Sequence, residues 1–140
     1  RNNKRRCLQM TKKFIIEQCR RLKIAHRQES EEVERQNRKN EKWLIPHNKG
    51  HEELIDKFIE QFDGWDNDNL DKKLCKKWLR KNIKKANVII KDISKKYNDF
   101  ESDDDILSKN DEKLYYINDG IDCMAKTLIM IINKKMYISK

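Results

Sequence analysis

One proline and three glycines in 140 residues leave this chain few means of making tight turns. That scarcity argues against a sheet-rich fold and for helices joined by a handful of loops. No stretch approaches the roughly 20 consecutive apolar residues of a membrane-spanning helix, and no signal peptide is visible. The first residue is Arg1 rather than methionine, and the chain reads as an excised fragment. Four cysteines, Cys7, Cys19, Cys75 and Cys123, stand singly with no CxxC pair, which removes the usual zinc spacing. Their mostly apolar surroundings predict buried thiols, with two disulfides open if the chain is secreted. No serine sits in a GxSxG context, and no glycine-rich loop precedes a helix, so the nucleophile-elbow and phosphate-cradle signatures are missing. The acidic runs near residues 63–69 and 101–105 lack the full calcium loop with its terminal bidentate glutamate. The chain is therefore read as non-enzymatic, with no cofactor and no small-molecule substrate.

What is present is charge. Charged residues make up 41% of the chain and apolar residues 36%, with a net charge of +9. The apolar residues are clustered at helical spacing, which decides against wholesale disorder. The charge comes in blocks of alternating sign. Residues 1–27 hold 10 Lys and Arg against 1 acidic residue, residues 51–71 hold 1 against 8, residues 72–96 hold 11 against 1, and residues 97–112 hold 1 against 7. Part of this can be compensated internally, with an acidic helix against basic neighbours. The remainder would face an acidic partner, a phosphate backbone or an anionic membrane surface.

The most informative stretch is residues 69–100, where Leu70, Leu74, Trp78, Ala86, Ile89, Ile90, Ile93, Tyr97 and Phe100 recur on one helical face and lysines fill most of the other. This predicts a basic amphipathic helix of about 30 residues. A first helix starts near Leu8 or Met10 and carries Phe14, Ile15, Cys19, Leu22 and Ala25 on one broad face. Residues 28–42 hold a single apolar residue, Val33, and read as a solvent-exposed helical extension laced with charge pairs. Pro46, Asn48 and Gly50 mark a boundary. A short helix follows over residues 51–62, with Leu54, Ile55, Phe58, Ile59 and Phe62 on its buried stripe, ended by Asp63 and Gly64. Asp66 or Asp68 caps the long basic helix, with Asp71 in its first turn. Ser108 and Asp111 form a capping pair for a last helix, whose seam is Leu114, Ile117, Ile121, Met124, Leu128 and Ile131. Gly120 weakens that helix by about 1 kcal/mol relative to Ala. The sum is one all-α domain spanning residues 1–140, an antiparallel bundle of three long helices and one short one.

Two constellations bear on chemistry. His47 and His51, followed by Glu52, form an HxxxHE pattern whose i, i+4 spacing could share a metal on a continuous helix. Asn48, Lys49 and Gly50 place it across a helix start, so the pair is read as loop and helix cap, with no metal site assigned. His26 is read as a solvated residue on a charged helix. Basic groups are the stronger feature. Lys73, Lys76, Lys77, Arg80 and Lys84 crowd the polar side of the 69–100 helix, and Lys4, Arg5, Arg6, Lys12, Lys13, Arg20, Arg21, Lys23 and Arg27 crowd the first. Trp78 belongs to the core stripe. Trp43 and Trp65 flank turns, where an exposed indole beside basic groups would make an interface anchor. These residues predict a module that binds an acidic protein segment through Lys73, Lys76, Lys77, Arg80, Lys84, Trp43 and Trp65. The alternative is nucleic-acid or anionic-membrane binding by the same lysines.

The Lys/Asn/Asp/Ile-heavy usage, the NDN and KKxxKK runs, the length, the helix pattern and the placement of Trp43, Trp65 and Trp78 resemble proteins of the malaria parasites. Among these, the arrangement of about four helices with a few tryptophans resembles the exported helical interspersed subtelomeric (PHIST) domain family. Tryptophan-rich cytoplasmic domains of the parasite's surface antigens are a second likeness. There is no complete RxLxE-type export element, since Arg6, Cys7, Leu8, Gln9 and Met10 fail it at the last position. The resemblance implies export into the host red cell and a protein-binding role in its cytoplasm or at its membrane skeleton, and it carries no functional residues over.

Overall fold

A computed structural model describes residues 11–65, 68–97 and 107–133. Four helices carry the fold: α1 (Lys12–Arg35), α2 (Leu44–Phe62), α3 (Lys72–Lys96) and α4 (Lys109–Ile132), with a single 3-10 turn at Lys39–Glu41. Apart from an isolated antiparallel bridge between Thr11 and Asn69, no β-structure occurs among the described residues. None of the described helices is long and apolar enough to cross a membrane. The chain is an all-α helical bundle.

Local chemistry sets most of the ends. Thr11 caps α1 by accepting from the Phe14 N–H at 3.0 Å, Asp71 caps α3 by accepting from Leu74, and Ser108 caps α4 by accepting from Asp111. Each satisfies a backbone donor that has no partner within its helix. The cap of α3 is thus Asp71 rather than Asp68, one turn later than expected; Asp66, like Leu8, Met10 and Phe100, lies outside the described residues. Lys12 then ties the α2–α3 connection to the start of α1, donating from Nζ to the carbonyls of Asp63 (2.8 Å) and Trp65 (2.6 Å).

Three expectations are corrected. The helix predicted through residues 28–42 stops at Arg35, because Asn37 takes a left-handed conformation with φ 50°. Its N–H donates to Glu34 O and that of Arg38 to Val33 O, the paired bonds of a Schellman cap. The segment is not simply solvated either, since Val33 is fully buried. Pro46, Asn48 and Gly50 do not break the chain; they lie inside α2, which has 19 residues rather than a short dozen. Pro46 sits in the first turn, where its missing N–H has no carbonyl to lose. Finally, the apolar stripes are rotated at their ends. Ala25, Leu74 and Leu114 are exposed, while Ile16, Cys75 and Leu79 are buried.

Helices adjacent in sequence run antiparallel. Lys23 pairs with Asp56 and Arg27 with Glu52 across α1 and α2. Lys76 meets Asn133, Asn87 meets Asp122, and Lys96 meets Asp111 across α3 and α4. The main packing runs α1 on α2, α2 on α4 and α4 on α3. Ile15, Cys19 and Leu22 of α1, Leu54, Ile55, Phe58 and Phe62 of α2, Cys75 and Leu79 of α3, and Met124, Leu128, Ile131 and Ile132 of α4 form one continuous core. Each such Leu, Ile or Phe contributes about 1.5–3 kcal/mol by burial. Cys19 and Cys75 are free thiols inside this core, and burial pushes both up to about 12, as expected of inert buried cysteines.

Candidate functional site

The basic face of α3 follows directly from helical geometry. Lys73, Lys77, Arg80, Lys84, Lys91 and Lys95 fall within an arc of about 60° and along about 33 Å of helix. Cys75, Leu79, Ala86 and Ile93 occupy the opposite, buried side. All six cationic side chains belong to exposed residues.

The pairing of the acidic block decides what remains of this charge. Two of the four carboxylates of α2 are answered by α1, through Lys23 to Asp56 at 2.7 Å and Arg27 to Glu52 at 2.5 Å. The α4 carboxylate Asp122 is held by Lys126 of its own helix and by Asn87. At the C-terminal end of α3, Lys96 reaches the carboxylate of Asp111, which also accepts from Tyr97 Oη at 2.8 Å. The six cations of the stripe meet no carboxylate within 4.0 Å among the described residues. The internal compensation expected of an acidic helix against basic neighbours is made in part by α1, through Lys23 and Arg27.

Of the sequence-predicted site residues, Lys73, Lys77, Arg80 and Lys84 share this stripe. Lys76 lies toward its flank and donates to Asn133 Oδ1 at 2.9 Å. The two tryptophans do not share one site. Trp43 precedes α2 and Trp65 follows it, so about 28 Å of helix separates them. Trp65 packs against Phe62 and the core, its carbonyl held by Lys12. Trp43 is 39% exposed and packs against Tyr116 with ring centroids 5.7 Å apart and planes tilted by 36°. Its basic neighbours are Lys39 and Lys42, which line a groove with it and with Tyr115 and Tyr116. That groove uses cations of the α1–α2 connection, not those of α3.

Sequence reasoning missed the indole that does border the lysines of α3. Trp78 packs edge-on against Phe58 and Phe62, yet its outer side lines an open groove between α2 and α3 with Lys57, Lys81, Lys85, Glu60 and Gln61. The signal was its angular position, at the border between the apolar and the basic face.

The histidines are also placed differently from expectation. His47 and His51 are buried one turn apart within α2, not in a loop, and His26 is half-buried rather than solvated. His26 lies 4.1 Å from His51 and His47 lies 4.5 Å from His51, ring centre to ring centre. Burial is the main cause that drives His51 down to about 3, with His26 and His47 adding repulsion. Burial also lowers His47, against the opposing pull of Asp119, whose Oδ2 is 3.0 Å from His47 Nε2. No protein-family model, no curated protein and no solved structure matches this chain.

Proposed function

We propose that this domain is a non-enzymatic protein-interaction module that holds an acidic segment of a partner against the basic face of α3. The observation that carries the reading is the stripe of Lys73, Lys77, Arg80, Lys84, Lys91 and Lys95, left without carboxylate partners among the described residues, while Glu52 and Asp56 of α2 are paired by α1. The groove at Trp78 adds an apolar wall beside Lys57, Lys81 and Lys85, a place where an apolar side chain of the partner can anchor while its carboxylates meet the ammonium groups. The sequence resemblance adds a location for such a partner, the membrane skeleton of the host red cell.

The same stripe would serve a nucleic acid or an anionic membrane, since a straight row of cations suits any polyanion. Two features favour the acidic polypeptide. The stripe holds five lysines and one arginine, and lacks the Arg and aromatic interleaving usual in nucleic-acid readers. The adjoining groove offers a single indole edge rather than a stacking platform.

A pull-down from red-cell membrane-skeleton and parasite lysates at two salt concentrations tests this. Heparin, duplex DNA and anionic vesicles are titrated in parallel. The reading expects a defined acidic protein to be retained at the higher salt and lost to a Lys73→Glu, Arg80→Glu, Lys84→Glu triple variant. Binding by the polyanions alone, all released at the higher salt, would overturn it.

A further inference from the structure

His47, Asp119 and Cys123 bring an imidazole nitrogen, a carboxylate oxygen and a thiol sulfur within 4.8 Å of one another. We propose that these three side chains form a binding site for one divalent transition ion of the zinc class. The site is independent of the basic stripe on α3 and of any reading built on it.

Placement makes the case first. Asp119 and Cys123 are spaced i, i+4 on α4 and present their donors on one face of that helix. His47 reaches them from α2, and its own backbone is pinned there: a Cβ built on Gly120 would lie 1.9 Å from the carbonyl oxygen of His47. Two helices touching backbone to backbone hold the three donors on rigid elements, as a metal site requires. Neighbouring groups leave the donors free for this role. Asp122, one turn from Asp119 and Lys126, is engaged by Asn87 at 3.0 Å and by Lys126 at 3.0 Å. Asp119, among the described residues, meets only His47. A His–Asp hydrogen bond would account for two of the three groups and leave the placement of the thiol unexplained.

The donor set selects the ion. Calcium and magnesium take oxygen ligands, whereas imidazole, carboxylate and thiolate together suit zinc and its neighbours. Three protein donors fill three of four tetrahedral positions and leave one for an exchangeable water. On binding, the Cys123 S–H bond breaks, sulfur keeps the electron pair to form the metal–sulfur bond, and the proton passes to solvent. The carboxylate and the thiolate then balance the two positive charges, so the partly buried site carries no net charge.

Co2+ titration of the reduced protein in the absence of oxygen reads the site directly. The expected result is one equivalent bound, with a sulfur-to-cobalt charge-transfer band in the near ultraviolet and the strong visible bands of tetrahedral cobalt, both bleached by Zn2+. Cys123→Ser should lose the charge-transfer band, Asp119→Asn should weaken binding more than about tenfold, and Cys7→Ser should change neither. Zn2+ should raise the melting temperature of the native chain and not that of Asp119→Asn. Circular dichroism verifies that each variant is folded; Cys123 and Asp119 are only half-buried, so either variant can serve if the other fails. Absence of the band at saturating Co2+, its survival in Cys123→Ser, or its loss in Cys7→Ser overturns the proposal.

Discussion

Gly50 and Gly120 meet where α2 and α4 cross, and neither position has room for a side chain. A Cβ on Gly50 would lie 2.0 Å from the carbonyl oxygen of Ile117, and one on Gly120 1.9 Å from that of His47. The obstacles are backbone atoms in helices, which cannot swing aside as a side-chain tip would. Alanine in either position would gain about 1 kcal/mol of helix propensity, but overpacking against backbone costs about 3 kcal/mol or more. Gly50→Ala and Gly120→Ala are each expected to lower the urea midpoint substantially. A variant as stable as the parent would show that the crossing is looser than described.

Asn48 joins α1 to α2 from a buried position. The two N–H groups of its Nδ2 are shared among three acceptors, the carbonyl of His26 (3.2 Å), Glu29 Oε1 (2.9 Å) and Ser30 Oγ (3.0 Å). Asn48→Ala removes those bonds and should cost about 1–3 kcal/mol. Asn48→Asp keeps the shape but turns an acceptor toward a carbonyl and a carboxylate, so it should cost more than alanine does. Equal unfolding free energies for the two variants would argue against the donor role.

Asn37 ends α1 in a left-handed conformation that β-branched residues resist. Asn37→Gly should therefore stay within about 0.5 kcal/mol of the parent, while Asn37→Val should lose about 1–2 kcal/mol. Thermal unfolding of the pair measures the difference. If valine proves as stable as glycine, the left-handed turn is not what stops the helix.

His51 predicts a pH dependence whose sign follows from burial. The folded protein keeps the imidazole neutral down to about 3, against 6.5 for an unperturbed histidine. Below the unfolded value the unfolded chain takes up a proton that the folded one does not, so stability falls as pH drops from about 6.5 toward 3. The loss is on the order of 2 kcal/mol between about pH 6.5 and pH 4.5. His26 and His47 face the same ring, and the lowered value of His47 acts in the same direction. Denaturant unfolding across this range, with chelator present, should show a flatter acid limb for His51→Gln. Parallel curves would remove His51 as the cause.

Helix content was legible because it is written in short-range spacing. The Ser108–Asp111 cap, the Asp63 end of α2 and the buried run from Leu54 to Phe62 each depend on residues within a turn or two of one another, and each stands where expected. The misreadings came where one residue type serves two structural roles. Pro46 and Gly50 resemble loop punctuation, yet proline is accepted in a first helical turn, and glycine here answers a neighbouring helix rather than a turn. Asn37 went unread as a stop because asparagine's tolerance of positive φ shows only when the following residues close the cap.

The basic stripe of α3 is a property of the sequence alone, since a fixed rotation per residue lines up its lysines whatever the helix packs against. Whether those lysines stay uncompensated depends on which helix lies beside the acidic one. That is decided by core packing, which sets α1 rather than α3 against Glu52 and Asp56. The convergence of His47, Asp119 and Cys123 is likewise tertiary. More than 70 positions of chain separate the histidine from the other two, and only the glycine crossing of α2 and α4 brings them together.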